Sequence, residues 1–233
     1  MQLFCGTSGF SYKEWKGPFY PEKLKNDQML EYYAERLPTV EINNTFYRLP
    51  KGDVMATWRE RVPASFRFVI KASQRITHRA RLKDCDETVE YLWSTVTRLE
   101  DRLGPLLFQL PPNFKANLER LETFVASLPE ACRPVFEFSH ESWRDPEVDR
   151  VLAARNAATC VTDSDEEPEP PIPQTADWGY LRLRRSHYEA AELDAWVERV
   201  HAAGWNEAWV FFKHEDEGAA PVLALDFAER FAS

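Results

Sequence analysis

The sequence predicts a single α/β domain over residues 1–233, a (β/α)8 TIM-like barrel that is irregular at its sixth βα unit. Short apolar runs occur eight times, and helix-patterned stretches follow most of them. Parallel strands need a long crossover connection, usually a helix, which suits this alternation. The length of 233 residues fits one such barrel and is too short for a barrel with a second domain.

Each apolar run ends in a polar cluster, as expected where a buried strand reaches the mouth of a barrel. In chain order the predicted strands are 3–6, 40–43, 66–71, 106–110, 134–138, 158–162, 179–184 and 208–213. Pro111 and Pro112 end the fourth strand, because proline cannot donate a hydrogen bond to a ladder. The enzymes of this fold class work at the carboxyl ends of the strands, so the sequence also predicts where a site lies.

Apolar residues spaced three and four apart predict helices over 89–103, 118–128 and 193–200. Each helix has one apolar stripe, as expected for a helix that packs on a sheet. The segment 163–173 breaks the rhythm, because it is acidic and rich in proline. We expect a long loop over the strand ends there, in place of the sixth helix. The sequence leaves open whether this loop is a solvated connector or a lid.

The composition narrows the function classes. The net charge is −9, which argues against sequence-independent nucleic-acid binding, because such binding depends on neutralising phosphates with Lys and Arg. The four cysteines form no CxxC pair and no metal-finger spacing. No apolar run approaches membrane-spanning length, and the first predicted strand begins at about Leu3, which leaves no room for a signal peptide. A cytoplasmic protein without membrane contact is therefore expected.

Polar residues alternate with the apolar ones near the ends of the predicted strands. Because side chains alternate across a strand, an apolar outer face places the polar side chains inside the barrel. The predicted inner ring contains Glu41, Asn43, Lys71, Gln109, Glu137, Arg182 and Lys213. Burying charges is costly unless they are paired, so the ring is either a ligand site or a self-satisfied plug of salt bridges. We favour the ligand site because the positions fall at the carboxyl ends.

Four members of the ring are candidate catalytic residues. Glu137 is the candidate base, and Lys71 and Arg182 are candidates for stabilising developing charge. Glu41 is the second carboxylate for acid–base chemistry. The candidate ligand-binding residues are Thr7, Trp15, Asn43, Thr45, Tyr47, His78, Gln109, Trp143, Arg184 and Lys213.

A basic cluster follows the third predicted strand and favours an anionic ligand. Its members are Lys71, Arg75, His78, Arg79, Arg81 and Lys83. Together with Arg184, Arg185 and Lys213, the cluster can make one side of the mouth basic despite the acidic total. Arginine forks match the geometry of carboxylates and phosphates. The expected partner is a small polar or phosphorylated ligand, and nucleic acid is possible but not favoured.

The histidines raise the question of a metal site, because His78, His140, His187 and His214 all follow predicted strands. Imidazole and carboxylate side chains together can bind transition metals. However, the chain contains no HxH and no HExxH motif. We therefore predict neither a metal nor a cofactor.

Several stretches resemble the YecE-like family, also called domain of unknown function seventy-two. The resemblance rests on 6–21 (GTSGFSYKEWKGPFYP), 41–50 (EINNTFYRLP), 68–72, 77–78, 106–112, 137–138, 142–143 and 180–182. It implies a TIM-barrel-like fold, and it implies no particular reaction because the family's biochemical role is unsettled. The chain departs from the family pattern at Ser139, where an arginine is expected. It departs again at Arg184-Arg185 and at Lys213-His214.

Three functions are compatible with these residues. The first is an enzyme of hydrolase or lyase type that uses acid–base chemistry on a small polar or phosphorylated ligand. The second is a nucleic-acid-processing, endonuclease-like barrel, which the acidic total and the missing metal motif weaken. The third is a non-catalytic ligand-binding protein.

Overall fold

A computed structural model describes residues 1–213 and 218–233. Eight parallel strands form a closed barrel in sequence order, so each strand pairs with its neighbours in the chain and β8 pairs with β1. The strands are β1 (Gln2–Ser8), β2 (Thr39–Ile42), β3 (Arg67–Lys71), β4 (Leu103–Gln109), β5 (Pro134–Glu137), β6 (Ala158–Thr162), β7 (Trp178–Leu183) and β8 (Glu207–Phe212). All eight predicted strands and the predicted fold class are confirmed.

Seven α-helices in the described part of the chain accompany the strands. They are α1 (Met29–Ala34), α2 (Gly52–Glu60), α3 (Asp86–Val96), α4 (Leu118–Ser127), α5 (Pro146–Ala153), α6 (Ala190–Ala202) and α7 (Ala219–Ala232). Each of these helices buries one apolar side against the barrel, as α4 does with Leu121, Phe124 and Val125.

The helix predicted over 89–103 is wrong in its last third. The α-helix α3 ends at Val96, and a 3-10 turn follows over Thr97–Arg102. Glu100 has a φ of 51°, which a helix does not accommodate, and Leu103 already pairs with Phe68 in the sheet. The apolar periodicity continued past the helix because Leu99 is also buried against the core.

The sixth βα unit is irregular, as predicted. The chain forms neither helix nor strand between Thr162 and Trp178, and this connection (163–177) lies wholly within the described residues. It runs back along β6, where the Thr159 backbone N–H donates to the Thr175 hydroxyl oxygen at 3.0 Å. Arg199 of α6 also donates to the Pro170 carbonyl oxygen and holds the middle of the loop.

The lower interior of the barrel is apolar. Phe4 stacks on Trp209 with ring centroids 4.1 Å apart, and Val69, Leu107 and Val135 pack in the same cluster. These side chains belong to the inward-facing set of their strands, so the predicted alternation is confirmed. The polar side chains of the same set lie at the carboxyl ends, which places the charged residues at one mouth.

Gly179 permits close packing between β7 and the segment before β8. A β-carbon at this position would lie 2.1 Å from the ring of Trp205, which is buried. We expect Gly179→Ala to lower the free energy of unfolding by about 1–3 kcal/mol, because the indole must move within a packed layer. Chemical denaturation measures this loss.

Gly52→Ala is the matched control for Gly179→Ala. Gly52 begins α2, and the nearest atom to an added β-carbon is a flexible Arg98 methylene at 3.4 Å. Alanine there restricts the unfolded chain and is expected to be neutral or slightly stabilising. Equal losses in the two variants would contradict the packing argument.

Candidate functional site

Arg182 joins two carboxylates at the carboxyl end of the barrel. Its Nη2 atom lies 2.9 Å from Glu41 Oε1, and its Nη1 atom lies 2.5 Å from Glu137 Oε2. The three side chains come from β7, β2 and the end of β5, and each is at most 6% exposed. The geometry therefore forms one buried ion network that crosses the barrel mouth.

Glu41 is fully hydrogen-bonded within this network. Ser8 and Asn43 each donate to Glu41 Oε1 at 2.9 Å, and the Tyr180 hydroxyl donates to Oε2 at 2.5 Å. Burial alone would raise the pKa of Glu41, but Arg182, Tyr180 and Asn43 outweigh burial and hold the pKa below its ordinary value. Glu41 is therefore ionised at neutral pH, and its lone pairs are occupied.

Glu137 has a similar environment with one more arginine. Gln109 Nε2 donates to Glu137 Oε1 at 2.8 Å, and Arg184 Nη1 lies 3.0 Å from the same oxygen. Burial opposes ionisation, but Arg182 and Arg184 lower the pKa of Glu137 below its ordinary value. A carboxylate held in this way is a weak base until a ligand displaces one of its donors. The role of Glu137 as the base stays a prediction.

Lys71 lies beside the network without joining it. No carboxylate oxygen of the described residues lies within 4.0 Å of its ammonium nitrogen, which sits 4.5 Å from the centroid of the Phe46 ring. Burial, followed by repulsion from Arg182, lowers the pKa of Lys71 to about 8. An amine with this pKa exchanges its proton near neutral pH.

His78 occupies the other side of Phe46. Its ring meets Phe46 edge-on at 4.9 Å, and its Nδ1 atom lies 2.9 Å from the Thr77 hydroxyl. Burial, Lys71 and Arg81 together lower the pKa of His78, so the ring is neutral at neutral pH. His78 can therefore donate or accept a hydrogen bond at the mouth without adding charge.

Counting these groups gives the mouth a positive excess. Glu41 and Glu137 supply two negative charges, and the cations are Arg182, Arg184, Lys71 and Lys213. The two arginines take both carboxylates, which leaves the ammonium groups for other partners. The Arg182 Nε atom is buried and also has no hydrogen-bond partner among the described residues. An anion is the complementary ligand.

The remaining predicted residues have different surroundings. Thr7 donates to the Gly9 carbonyl oxygen and contacts the Tyr33 hydroxyl, and Trp15 is fully buried among aromatic rings. The Thr45 hydroxyl lies within hydrogen-bond distance of the Ile42 and Lys71 carbonyl oxygens, so it joins the ends of β2 and β3. Tyr47 is 76% exposed at the rim. These residues shape the mouth from behind or beside the network.

Trp143 is also mostly structural in its contacts. Its indole N–H donates to the Phe114 carbonyl oxygen at 2.7 Å, and its ring stacks on Phe138 at 4.7 Å. Ser8 was not predicted as a site residue, although it binds Glu41. The alternation that places Phe4 inside also places Ser8 inside, so extending the first predicted strand by two residues would have found it.

The histidines do not gather with carboxylates in the described part of the chain. No group of three or more His, Cys, Asp or Glu side chains in residues 1–213 and 218–233 has the arrangement of a metal site. His140 accepts from the Ser142 backbone N–H, His187 contacts Glu189 and His201 stacks on Phe231. His214 lies outside the described residues.

None of the described helices is both long enough and apolar enough to cross a membrane. The barrel and its mouth define the class of protein: a TIM-barrel-like α/β protein with a buried carboxylate–arginine network at the carboxyl ends of the strands. A family model described as "Protein of unknown function DUF72" matches residues 4–233. The chain belongs to the DUF72 family.

Two relatives carry the same family relationship. The UPF0759 protein YecE of Escherichia coli strain K12 is 33% identical over 141 residues, which cover 58% of this chain and 52% of YecE. The chain thus spans about half the length of this relative in the alignment. The UPF0759 protein YunF of Bacillus subtilis strain 168 is 21% identical over 234 residues, covering 92% of this chain and 79% of YunF.

Solved structures of the family have the same fold. A DUF72 family protein from Thermotoga maritima MSB8 is 29% identical and superimposes with a TM-score of 0.86, covering 100% of both chains. A DUF72 family protein from Enterococcus faecalis V583 is 19% identical with a TM-score of 0.83, covering 100% of this chain and 96% of that one. The second likeness concerns the fold alone.

Proposed function

We propose that the barrel mouth is the active site of an enzyme that performs acid–base chemistry, of hydrolase or lyase type, on a small polar or phosphorylated ligand. One observation carries the proposal. Lys71 has no carboxylate oxygen of the described residues within 4.0 Å, although two buried carboxylates are held by arginines in the same network. A buried amine that lacks a protein counter-ion is suited to meet a charged ligand.

The ligand's anionic group binds between Lys71, Arg184 and Lys213 in this proposal. Arg184 donates to Glu137 through Nη1, and its side chain is 33% exposed, so the rest of its guanidinium faces the mouth. Guanidinium and ammonium groups bind carboxylates and phosphates through charge-assisted hydrogen bonds. The closed network of Arg182 and its carboxylates holds the charges beneath the ligand in place before it arrives.

Lys71 then transfers the proton. Its pKa of about 8 makes both protonation states accessible near neutral pH, which is the condition for a general acid or base. Glu137 is the alternative proton acceptor, and using it requires the ligand to displace Gln109 or Arg184. The lowered pKa of Glu137 favours Lys71 for this role.

A nucleic-acid-processing barrel is a second candidate, and exposed cations at the rim favour it. Arg75, Arg79 and Lys83 follow β3 and are exposed. The net charge of −9 opposes this reading, because phosphate contacts supply most non-specific nucleic-acid affinity. A non-catalytic binder would use the same mouth without a proton transfer.

A thermal-shift screen over phosphorylated sugars, nucleotides, organic acids and oligonucleotides tests the proposal. A ligand at about 100 times its dissociation constant adds about 2.7 kcal/mol of stability, so binding is visible as a raised melting temperature. We expect small anions to stabilise the protein. Stabilisation by oligonucleotides alone would favour the nucleic-acid function, and stabilisation by no small anion would overturn the proposal.

A further inference from the structure

The missing sixth helix leaves a cavity of about 700 Å³ beside β6. The 163–173 segment forms one wall, and the start of α5 forms another. Gln109, Glu137 and Arg184 line both this cavity and the mouth. The cavity therefore continues the candidate site sideways, and its volume is in the range of sites that enclose whole cofactor-sized or drug-sized ligands.

Two facing walls of the cavity are apolar. On one side Phe138 stacks on Trp143 with ring centroids 4.7 Å apart and an interplanar angle of 16°. On the loop side the lining includes Pro171, Ile172 and Pro173. Aromatic rings and prolines present flat apolar surfaces, which suit a planar ring of the ligand.

One carboxyl group in the cavity remains available to a ligand. Asp163 accepts from the Arg184 backbone N–H and from the Tyr188 hydroxyl, and Glu167 pairs with Arg144. Asp145 caps α5 by accepting from the Glu147 backbone N–H. The Asp149 carboxyl also lines the cavity and has no hydrogen-bond or ion-pair partner within the described ranges. It can therefore accept an N–H from a ligand.

We propose that this side cavity, which we call the β6 cavity, binds the planar, hydrogen-bond-donating ring of the ligand whose anionic group occupies the mouth. The chemistry is that of a nucleoside monophosphate: a phosphate near Lys71 and Arg184, a ring against Phe138, and an amino group toward Asp149. This inference rests on the proposed function, because it names the substrate class of the same site.

Isothermal titration calorimetry with four probes tests the inference. The probes are inorganic phosphate, ribose 5-phosphate, adenosine monophosphate and purine riboside monophosphate, which lacks the exocyclic amino group. Stacking and burial of the base are expected to make adenosine monophosphate bind at least about tenfold more tightly than ribose 5-phosphate. The purine analogue is expected to bind with intermediate affinity.

Two variants fill the β6 cavity from opposite sides. Val161→Phe enlarges a side chain of β6, and Ile172→Trp enlarges one in the loop. Either is expected to abolish the preference for the nucleotide while leaving the affinity for ribose 5-phosphate unchanged. Asp149→Leu removes the acceptor at similar volume, and it should equalise adenosine monophosphate and the purine analogue. The second filling variant keeps the test decisive if the first fails to fold.

The outcomes separate this inference from the function on which it rests. If ribose 5-phosphate and adenosine monophosphate bind equally in the native protein, or the filling variants keep the nucleotide preference, the inference is overturned. The proposed function survives that result, provided the small anions still bind at the mouth. If none of the four probes binds, both are overturned for phosphorylated ligands.

Discussion

Replacing Arg182 by alanine is expected to lower the free energy of unfolding by about 3–5 kcal/mol, because it leaves two buried carboxylates without their shared cation. Arg182 is 3% exposed at its side chain, and it contacts both Glu41 and Glu137. Neither carboxylate can turn toward water without leaving its other donors. Urea denaturation measures the loss.

Arg184→Ala is the matched control, because Arg184 contacts the same Glu137 but is 33% exposed. After this substitution Glu137 keeps Arg182 as its partner, and the expected loss is under about 1 kcal/mol. Equal losses in the two variants would contradict a buried network centred on Arg182. Adding Glu41→Gln and Glu137→Gln to Arg182→Ala should recover part of the lost stability, because the stranded charges are then removed.

The two arginine variants should also differ in their pH dependence. In the native protein the pKa values of Glu41 and Glu137 are lowered, so their contribution is present above the usual glutamate pKa of about 4.3 and is lost as the pH falls below it. Without Arg182, burial raises both pKa values instead. The difference in stability between native protein and Arg182→Ala should therefore shrink on acidification.

The sequence predicts the positions of this network but not its pairing. Alternation along β2, β5 and β7 is a local property, so it placed Glu41, Glu137 and Arg182 inside the barrel from short apolar runs alone. Which cation serves which carboxylate depends on distances across the barrel between strands far apart in the chain. That is why Lys71 could not be recognised from sequence as the amine left without a carboxylate.

Two other features depend on tertiary structure for the same reason. The periodicity that includes Leu99 indicated a continuing helix, but Glu100 adopts a φ of 51° because the chain must turn into β4. The proline-rich segment predicted a missing sixth helix correctly. Whether the loop fills the vacant space or encloses a cavity depends on its path beside β6, and composition does not encode that path.

Lys71→Met is expected to weaken the binding of small anions by about ten- to a hundredfold while leaving the barrel folded, because a hydrogen bond to a charged group contributes about 1.5–3 kcal/mol. Methionine fills the same volume beside Phe46 and carries no charge. Calorimetric titration with ribose 5-phosphate measures the loss. Lys83→Met is the control, because Lys83 is exposed and lies in the same basic segment.

The pH profile identifies the ammonium group directly. Burial, followed by Arg182, lowers the pKa of Lys71 to about 8, so the affinity of the native protein for an anion should fall as the pH rises through about 8. Stability should rise between about 8 and about 10.4, because the unfolded lysine holds its proton longer than the folded one. Lys71→Met should show neither change, and a profile identical to that of the native protein would contradict the assignment.

Lys71→Arg separates an enzyme from a binding protein. Arginine keeps the positive charge, but it is always protonated and cannot exchange a proton near neutral pH. If Lys71 transfers a proton, turnover of a substrate found in the screen should be lost in Lys71→Arg, while affinity for the anion falls much less than in Lys71→Met. If turnover persists in Lys71→Arg, proton transfer by Lys71 is wrong, and Glu137→Gln then tests the remaining candidate base. Loss of turnover in Glu137→Gln with the fold retained would assign the proton transfer to Glu137.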